Sequence, residues 1–148
     1  MMKLLVLNGP NLNLLGIREP AIYGRETYEQ LCGRIQAYAD QKGIDVRLCQ
    51  SNHEGGLVDA IQTAYFDGFD GIVINPGAYT HTSIALLDAV KGVGLPCVEV
   101  HISDPDTRED FRKISYIRAA CIATIKGQGT AGYFTAIDQL IAHVEGNA

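Results

Sequence analysis

The chain has 148 residues, 47% of them apolar and 20% charged, with a net charge of −5. That length is one domain, residues 1–148, able to bury a full core. The acidic balance and scattered basic residues argue against a nucleic-acid or anionic-lipid partner, and no apolar run approaches the ~18 residues of a membrane span.

The first predicted element is a strand, KLLVLN, whose apolar run is broken at once by NGPN and is too short for a signal segment. About eighteen residues, 9–26, then precede a helix over Thr27–Lys42 closed by Gly43, where a strand-to-helix loop normally takes roughly two to six. IDVRLCQ (44–50) reads as a second strand and GGLVDAIQTAYF (55–66) as a second helix. DGIVIN (70–75) is a continuously apolar run typical of a strand covered on both faces. A third helix over Thr82–Val93 ends at Gly94, PCVEVHI and ACIATIK supply two more strands, and a last helix runs from Thr130 to Val144. Cys32, Cys49, Cys97 and Cys121 form no CxxC pair and fall inside these elements, so buried thiols in a reducing, cytoplasmic setting are expected rather than disulfides.

Strands alternating with helices predict an α/β chain with a five-stranded parallel sheet between two helical layers. Right-handed crossovers favour the flavodoxin-like, doubly wound strand order 2-1-3-4-5. In such sheets ligands bind beyond the carboxyl ends of the strands, at the switch point between strands 1 and 3. Asn8–Asn13, Asn75–His81 and His101–Ser103 occupy those ends, and all three segments are polar.

Within NGPNLN, Asn8 and Asn13 fit either Asx turns or ligand contacts, while Asn11 is placed further into the cleft. In INPGAYTHTS, Thr80 or Thr82 suits the cap of the third helix, and His81 beside a helix N-terminus suits a neutral hydrogen-bonding role toward an anionic ligand. VEVHIS puts Glu99 and His101 on one face of a strand by period two. A carboxylate in a nearly all-apolar strand costs several kcal/mol unless paired. Glu99 paired with His101 would fix the imidazole tautomer, either as a structural pair or as a general acid. In SDPDTREDFRKISY a turn leads to a short helix carrying Arg108 and Arg112 on one face, with Arg112 placed for a carboxylate. GQGTAG (127–132) matches a dinucleotide fingerprint, but only 16 residues follow Gly132, so it reads as a tight strand-to-helix turn. The histidines show no metal-ligand spacing, and among the lysines only Lys126 falls at the end of a strand near the cleft.

The long connection holds Arg18, Tyr23 and Arg25. It is either a flexible surface hairpin or a lid. A tyrosine ordinarily titrates near ~10, so one serving as a base needs cations beside it, here Arg18, Arg25 or Arg108. The inventory suits proton removal next to a carbonyl with acid-assisted loss of a leaving group; a flavodoxin-like binding or signalling module is the competing class.

NGPNLNLLGIREPAIYG, QSNHEGGLVDAI, INPGAYTHTSIALLDA and VEVHIS with REDFRKISY and GQGTAGY together resemble the type II 3-dehydroquinate dehydratases, in order and over nearly the whole chain. The resemblance implies anti elimination of water from 3-dehydroquinate to 3-dehydroshikimate through an enolate, in aromatic biosynthesis or quinate breakdown, without metal, cofactor or imine. It implies Tyr23 as the base, Arg18 as the loop arginine that activates it, His101 as the acid held by Glu99, and Asn11 as the holder of a water near the enolate oxygen. Substrate binding would fall to Asn75, His81, Arg112 and the backbone amides of Ile102 and Ser103. Asp88 would reach a neighbouring subunit's site in a homododecamer built of trimers. Members commonly read HISNVxARE where this chain has HISDPDTRE, so Asp104 and Pro105 change the turn before Arg108.

Overall fold

The computed structural model describes residues 1–147. Five strands, β1 (Lys3–Asn8), β2 (Asp45–Gln50), β3 (Gly71–Asn75), β4 (Cys97–His101) and β5 (Ala123–Lys126), form one parallel sheet in the order β2-β1-β3-β4-β5. The doubly wound, flavodoxin-like architecture expected from the alternation of elements is therefore the architecture found. The helices are α1 (Pro20–Tyr23), α2 (Tyr28–Lys42), α3 (Glu54–Phe66), α4 (Ile84–Val93) and α5 (Ala131–Gly146).

Side chains alternate across the sheet by period two. Leu4, Val6, Val73, Val98 and Val100 pack under α2 and α5, whereas Leu5, Leu7, Ile72, Ile74 and Cys97 pack under α3 and α4. Central strands β3 and β4 are buried along their whole length, which is why DGIVIN has no polar face. The same alternation aims the polar ends of the strands. Asn8 and Asn75 continue the α2/α5 side, and Glu99 and His101 continue the α3/α4 side, so the cleft at the carboxyl edge draws on both.

Helix α2 begins where its sequence says it should. Thr27 accepts from the Gln30 amide while the Gln30 side chain accepts from the Thr27 amide, a reciprocal cap, and Gly43 closes the last turn. Three expectations need correction. Helix α4 starts at Ile84, capped by Ser83 rather than Thr80 or Thr82, because residues 77–81 form a separate 3-10 turn that commits Thr80 elsewhere. Strand β5 starts at Ala123, since Ile117–Ala120 is a 3-10 segment ending at Cys121. Arg108 and Arg112 do not share a helix. Asp104 caps a short 3-10 turn over Pro105–Thr107, the chain becomes extended at Arg108, and a second 3-10 turn covers Asp110–Lys113.

All four cysteines are free. No helix among the described residues is long and apolar enough to cross a membrane.

Candidate active site

The loops after β1 and β3 meet at van der Waals contact. The Gly9 amide donates to the Asn75 carbonyl at 2.7 Å, and a Cβ on residue 9 would lie 2.5 Å from the Pro76 carbonyl oxygen. Only glycine permits that approach. Beside this seam lies a cleft lined by Asn11, Arg18, Tyr23 and His101, with Asn75, His81, Ile102, Ser103 and Arg112 around them. Thus nine of the eleven singled-out residues share one cavity, and a tenth, Glu99, is directly behind it. The eleventh, Asp88, is on the outer face of α4, in a groove against Tyr65 and Phe66 of α3. Arg108, weighed only as a third cation for the lid, also lines the cleft, whereas Arg25 is solvent-exposed and outside it.

His101 is almost fully buried and its Nε2 hydrogen-bonds Glu99 Oε2. A carboxylate only accepts, so Nε2 carries the proton and Nδ1 is the nitrogen left for a ligand. Glu99 is wholly buried and receives further hydroxyl contacts from Thr80 (2.8 Å), Ser115 (2.9 Å) and Thr124 (3.5 Å). The Arg118 Nε is 3.8 Å from its other oxygen. Burial alone would raise the Glu99 pKa. The bond and charge of His101, with the Thr80 and Ser115 hydroxyls, outweigh burial and hold the carboxyl below its ordinary value. The dyad is therefore an ionised carboxylate orienting an imidazole. The period of the strand pairs Glu99 with His101, but nothing local in the sequence reveals Thr80, Ser115, Thr124 or Arg118.

The connection between β1 and α2 is not structureless. Its one-turn helix α1 carries Tyr23 over the cleft, between Gly16 and Gly24, whose φ angles of +85° and +81° are ones glycine adopts without strain. The Tyr23 hydroxyl accepts a hydrogen bond from Arg108 Nη1 at 2.8 Å, and the Arg18 guanidinium stacks over the ring 4.6 Å from its centre. Two cations thus meet one phenol, one at the oxygen and one at the face.

The remaining polar groups are held in fixed states. Tyr133 is fully buried beneath the cleft. Its hydroxyl donates to Asn8 Oδ1 at 2.5 Å and accepts from Asn75 Nδ2 at 3.0 Å. Burial pushes that hydroxyl well above the ordinary tyrosine range, so it stays a neutral clamp. With Asn75 Oδ1 taken by the Gly77 amide at 3.1 Å, Asn75 has one N–H to offer a ligand. Asn8 belongs to this clamp and not to the cleft. His81 Nδ1 donates to the Ile114 carbonyl at 2.6 Å, leaving Nε2 as its free nitrogen. Arg112 is paired with Glu109 at 2.6 Å. Lys126 does not line the cleft; its ammonium is spent on Asp106 and Asp104. The GQGTAG turn braces the end of β4, with the Gly129 and Gly127 amides donating to the carbonyls of Ile102 and Ser103. No group of three or more potential metal-ligating side chains comes together among the described residues.

The family model described as "Dehydroquinase class II" matches residues 2–141. The chain belongs to this family. The crystal structure of a type II dehydroquinase from Butyrivibrio crossotus superposes with a TM-score of 0.94 at 56% identity, covering 95% of this chain and 97% of that one. A relative from Clostridium beijerinckii named 3-dehydroquinate dehydratase is 50% identical over 139 residues, 94% of this chain and 95% of its own length. A second from Clostridium acetobutylicum, of the same name, is 53% identical over 139 residues, 94% of this chain and 96% of its own. Membership of the family makes the chain a hydro-lyase enzyme, and its cleft lies at the carboxyl edge of the sheet, where the topology alone locates it.

Proposed function

We propose that the chain removes water from 3-dehydroquinate, the substrate in its relatives' names, to give 3-dehydroshikimate by anti elimination. In this reading the Tyr23 phenolate takes the C2 proton of the substrate and an enolate forms. Protonated His101 then gives a proton to the departing hydroxyl as the double bond closes, and water leaves. The single observation carrying the reading is that one cleft holds a phenol met by two guanidinium groups and an imidazole backed by an ionised carboxylate. A base and an acid presented by different elements across one cavity suit a substrate whose proton and hydroxyl leave from opposite faces.

Arg18 and Arg108 stabilise the phenolate by charge, and Asn11 holds a water near the enolate oxygen. Substrate binding falls to the amides of Ile102 and Ser103, the one available Asn75 N–H, the free nitrogen of His81 and Arg112. Asp88, distant from its own chain's cleft, serves a neighbour's site within a homododecamer of trimers, and the enzyme works in the cytoplasm.

Ultraviolet absorbance of the conjugated enone on mixing with 3-dehydroquinate tests the reading. Tyr23→Phe and His101→Ala are each expected to lower kcat by about 10²–10⁴-fold. Full activity in either variant removes that residue from its role. Borohydride treatment in the presence of substrate is expected to leave activity intact; inactivation would revive a lysine imine.

A further inference from the structure

Lys126 ends β5 immediately before the glycine turn, and its ammonium is shared by two carboxylates of a single short turn, Asp104 and Asp106. Those two acids are forced together. Asp104 Oδ1 accepts the Asp106 amide at 3.0 Å to cap the 3-10 turn, and the Thr107 hydroxyl bonds the Asp104 carbonyl at 2.8 Å. The turn therefore gathers negative charge as it forms, and Lys126 supplies the positive charge against it. Hydrogen bonding to Asp106 and the charges of both acids hold the lysine above its ordinary pKa, against slight desolvation and the repulsion of Arg118, so it is a fixed cation. The turn leads straight to Arg108, whose guanidinium donates to the Tyr23 hydroxyl. Pro105, at the start of the turn, is itself buried against the cleft.

We propose that Lys126 is a positioning residue, which through Asp104 and Asp106 fixes the Ser103–Arg108 turn and thereby holds the Arg108 guanidinium on the Tyr23 hydroxyl. This rests on Tyr23 acting as the base. Upstream of the turn the main chain is secured without Lys126, since Gly127 and Gly129 donate to Ser103 and Ile102. Beyond Ser103 the ties to β5 are the two ion pairs. Each pair is about one-third exposed and contributes little to folding by itself. Its consequence is geometric: displacement of Arg108 by about 1 Å takes a 2.8 Å hydrogen bond out of range, and misplacements of that size are costly to turnover.

The test is steady-state kinetics with 3-dehydroquinate on a set of variants. Lys126→Met is expected to lower kcat about tenfold with KM within about twofold, at an essentially unchanged thermal midpoint. Lys126→Arg is expected to restore most of kcat. Asp106→Asn, which removes the partner instead, is expected to lower kcat in the same way and keeps the test informative if Lys126→Met expresses poorly. In an Arg108→Met background, Lys126→Met is expected to have no further effect, because the two act as one unit. A kcat for Lys126→Met within twofold of the parent, a loss residing in KM, or losses that multiply with Arg108→Met would each overturn the proposal. Tyr23→Phe separates the two claims. If it is inactive while Lys126→Met is normal, only the positioning role is lost; if it is fully active, the assignment of the base fails first.

Discussion

Glu99 holds a full negative charge inside the sheet, and its tolerance there is a matter of donors. Thr80 and Ser115 both reach Oε2, yet their own oxygens are 2.7 Å apart. Each hydroxyl has one proton, so only two of these three contacts are hydrogen bonds at any moment. The two hydroxyls are therefore partly redundant, and Thr80 is the more deeply buried. Ser115→Ala is expected to cost about 1 kcal/mol, because Thr80 still donates, whereas Thr80→Val is expected to cost about 2 kcal/mol. Urea unfolding measures both, and equal costs would mean that the deeper burial of Thr80 does not set the difference. The lowered Glu99 pKa fixes a sign as well. The folded state binds this proton less readily than the unfolded chain, so the stabilisation is complete above the ordinary carboxyl value of 4.5 and is lost as pH falls through the lower folded value. As pH falls below about 4.5, the urea midpoint is expected to drop more steeply in the parent than in Glu99→Gln. The Glu99–His101 pairing was legible from two residues on one strand face. Its supporting hydroxyls were not, because Thr80, Ser115 and Thr124 are 16 to 25 residues away and reach Glu99 only through the fold.

Elements were legible where one local signal dominated and misread where several competed. Helix α2 has a single reciprocal cap and an unambiguous stop. The run THTS offers hydroxyls at Thr80, Thr82 and Ser83, and only the packing of the 77–81 turn selects Ser83 as the cap of α4. Arg108 and Arg112 have helical spacing in sequence, but Pro105 and the Asp104 cap start a turn too short to carry it through. The outcome is chemically better than a shared helix face: Arg108 meets Tyr23 while Arg112 meets Glu109. The seam between the loops after β1 and β3 makes a prediction at this scale. Gly9→Ala drives a methyl group to 2.5 Å from the Pro76 oxygen, and backbone on both sides leaves little room for relief. The variant is expected to lose about 2 kcal/mol of stability and, by parting the loops that carry Asn11 and Asn75, to raise KM severalfold. A variant as stable as the parent would mean that the seam yields freely.

At the scale of the whole molecule, the strand order followed from alternation and handedness alone, since each crossover had one permitted side. Assembly does not follow in that way, because a single chain's pattern does not say which apolar residues stay exposed. Tyr65 and Phe66 are 52% and 81% exposed at the end of α3, and with Val58 and Val93 they border the groove that contains Asp88. An acid at an apolar groove, remote from its own cleft, has no evident work in an isolated chain. In the proposed homododecamer it has one, at the neighbour's site, and two measurements are tied together by that difference. Sedimentation is expected to give twelve copies of the 16.0 kDa chain. Asp88→Ala is expected to lower kcat/KM about tenfold while leaving the fold of the chain unchanged. Phe66→Asp, which puts charge on the exposed apolar edge, is expected to lower both the mass and the activity. A monomeric parent with full activity would leave Asp88 an ordinary surface acid, and an Asp88→Ala variant as active as the parent within an intact assembly would confine the site to one chain.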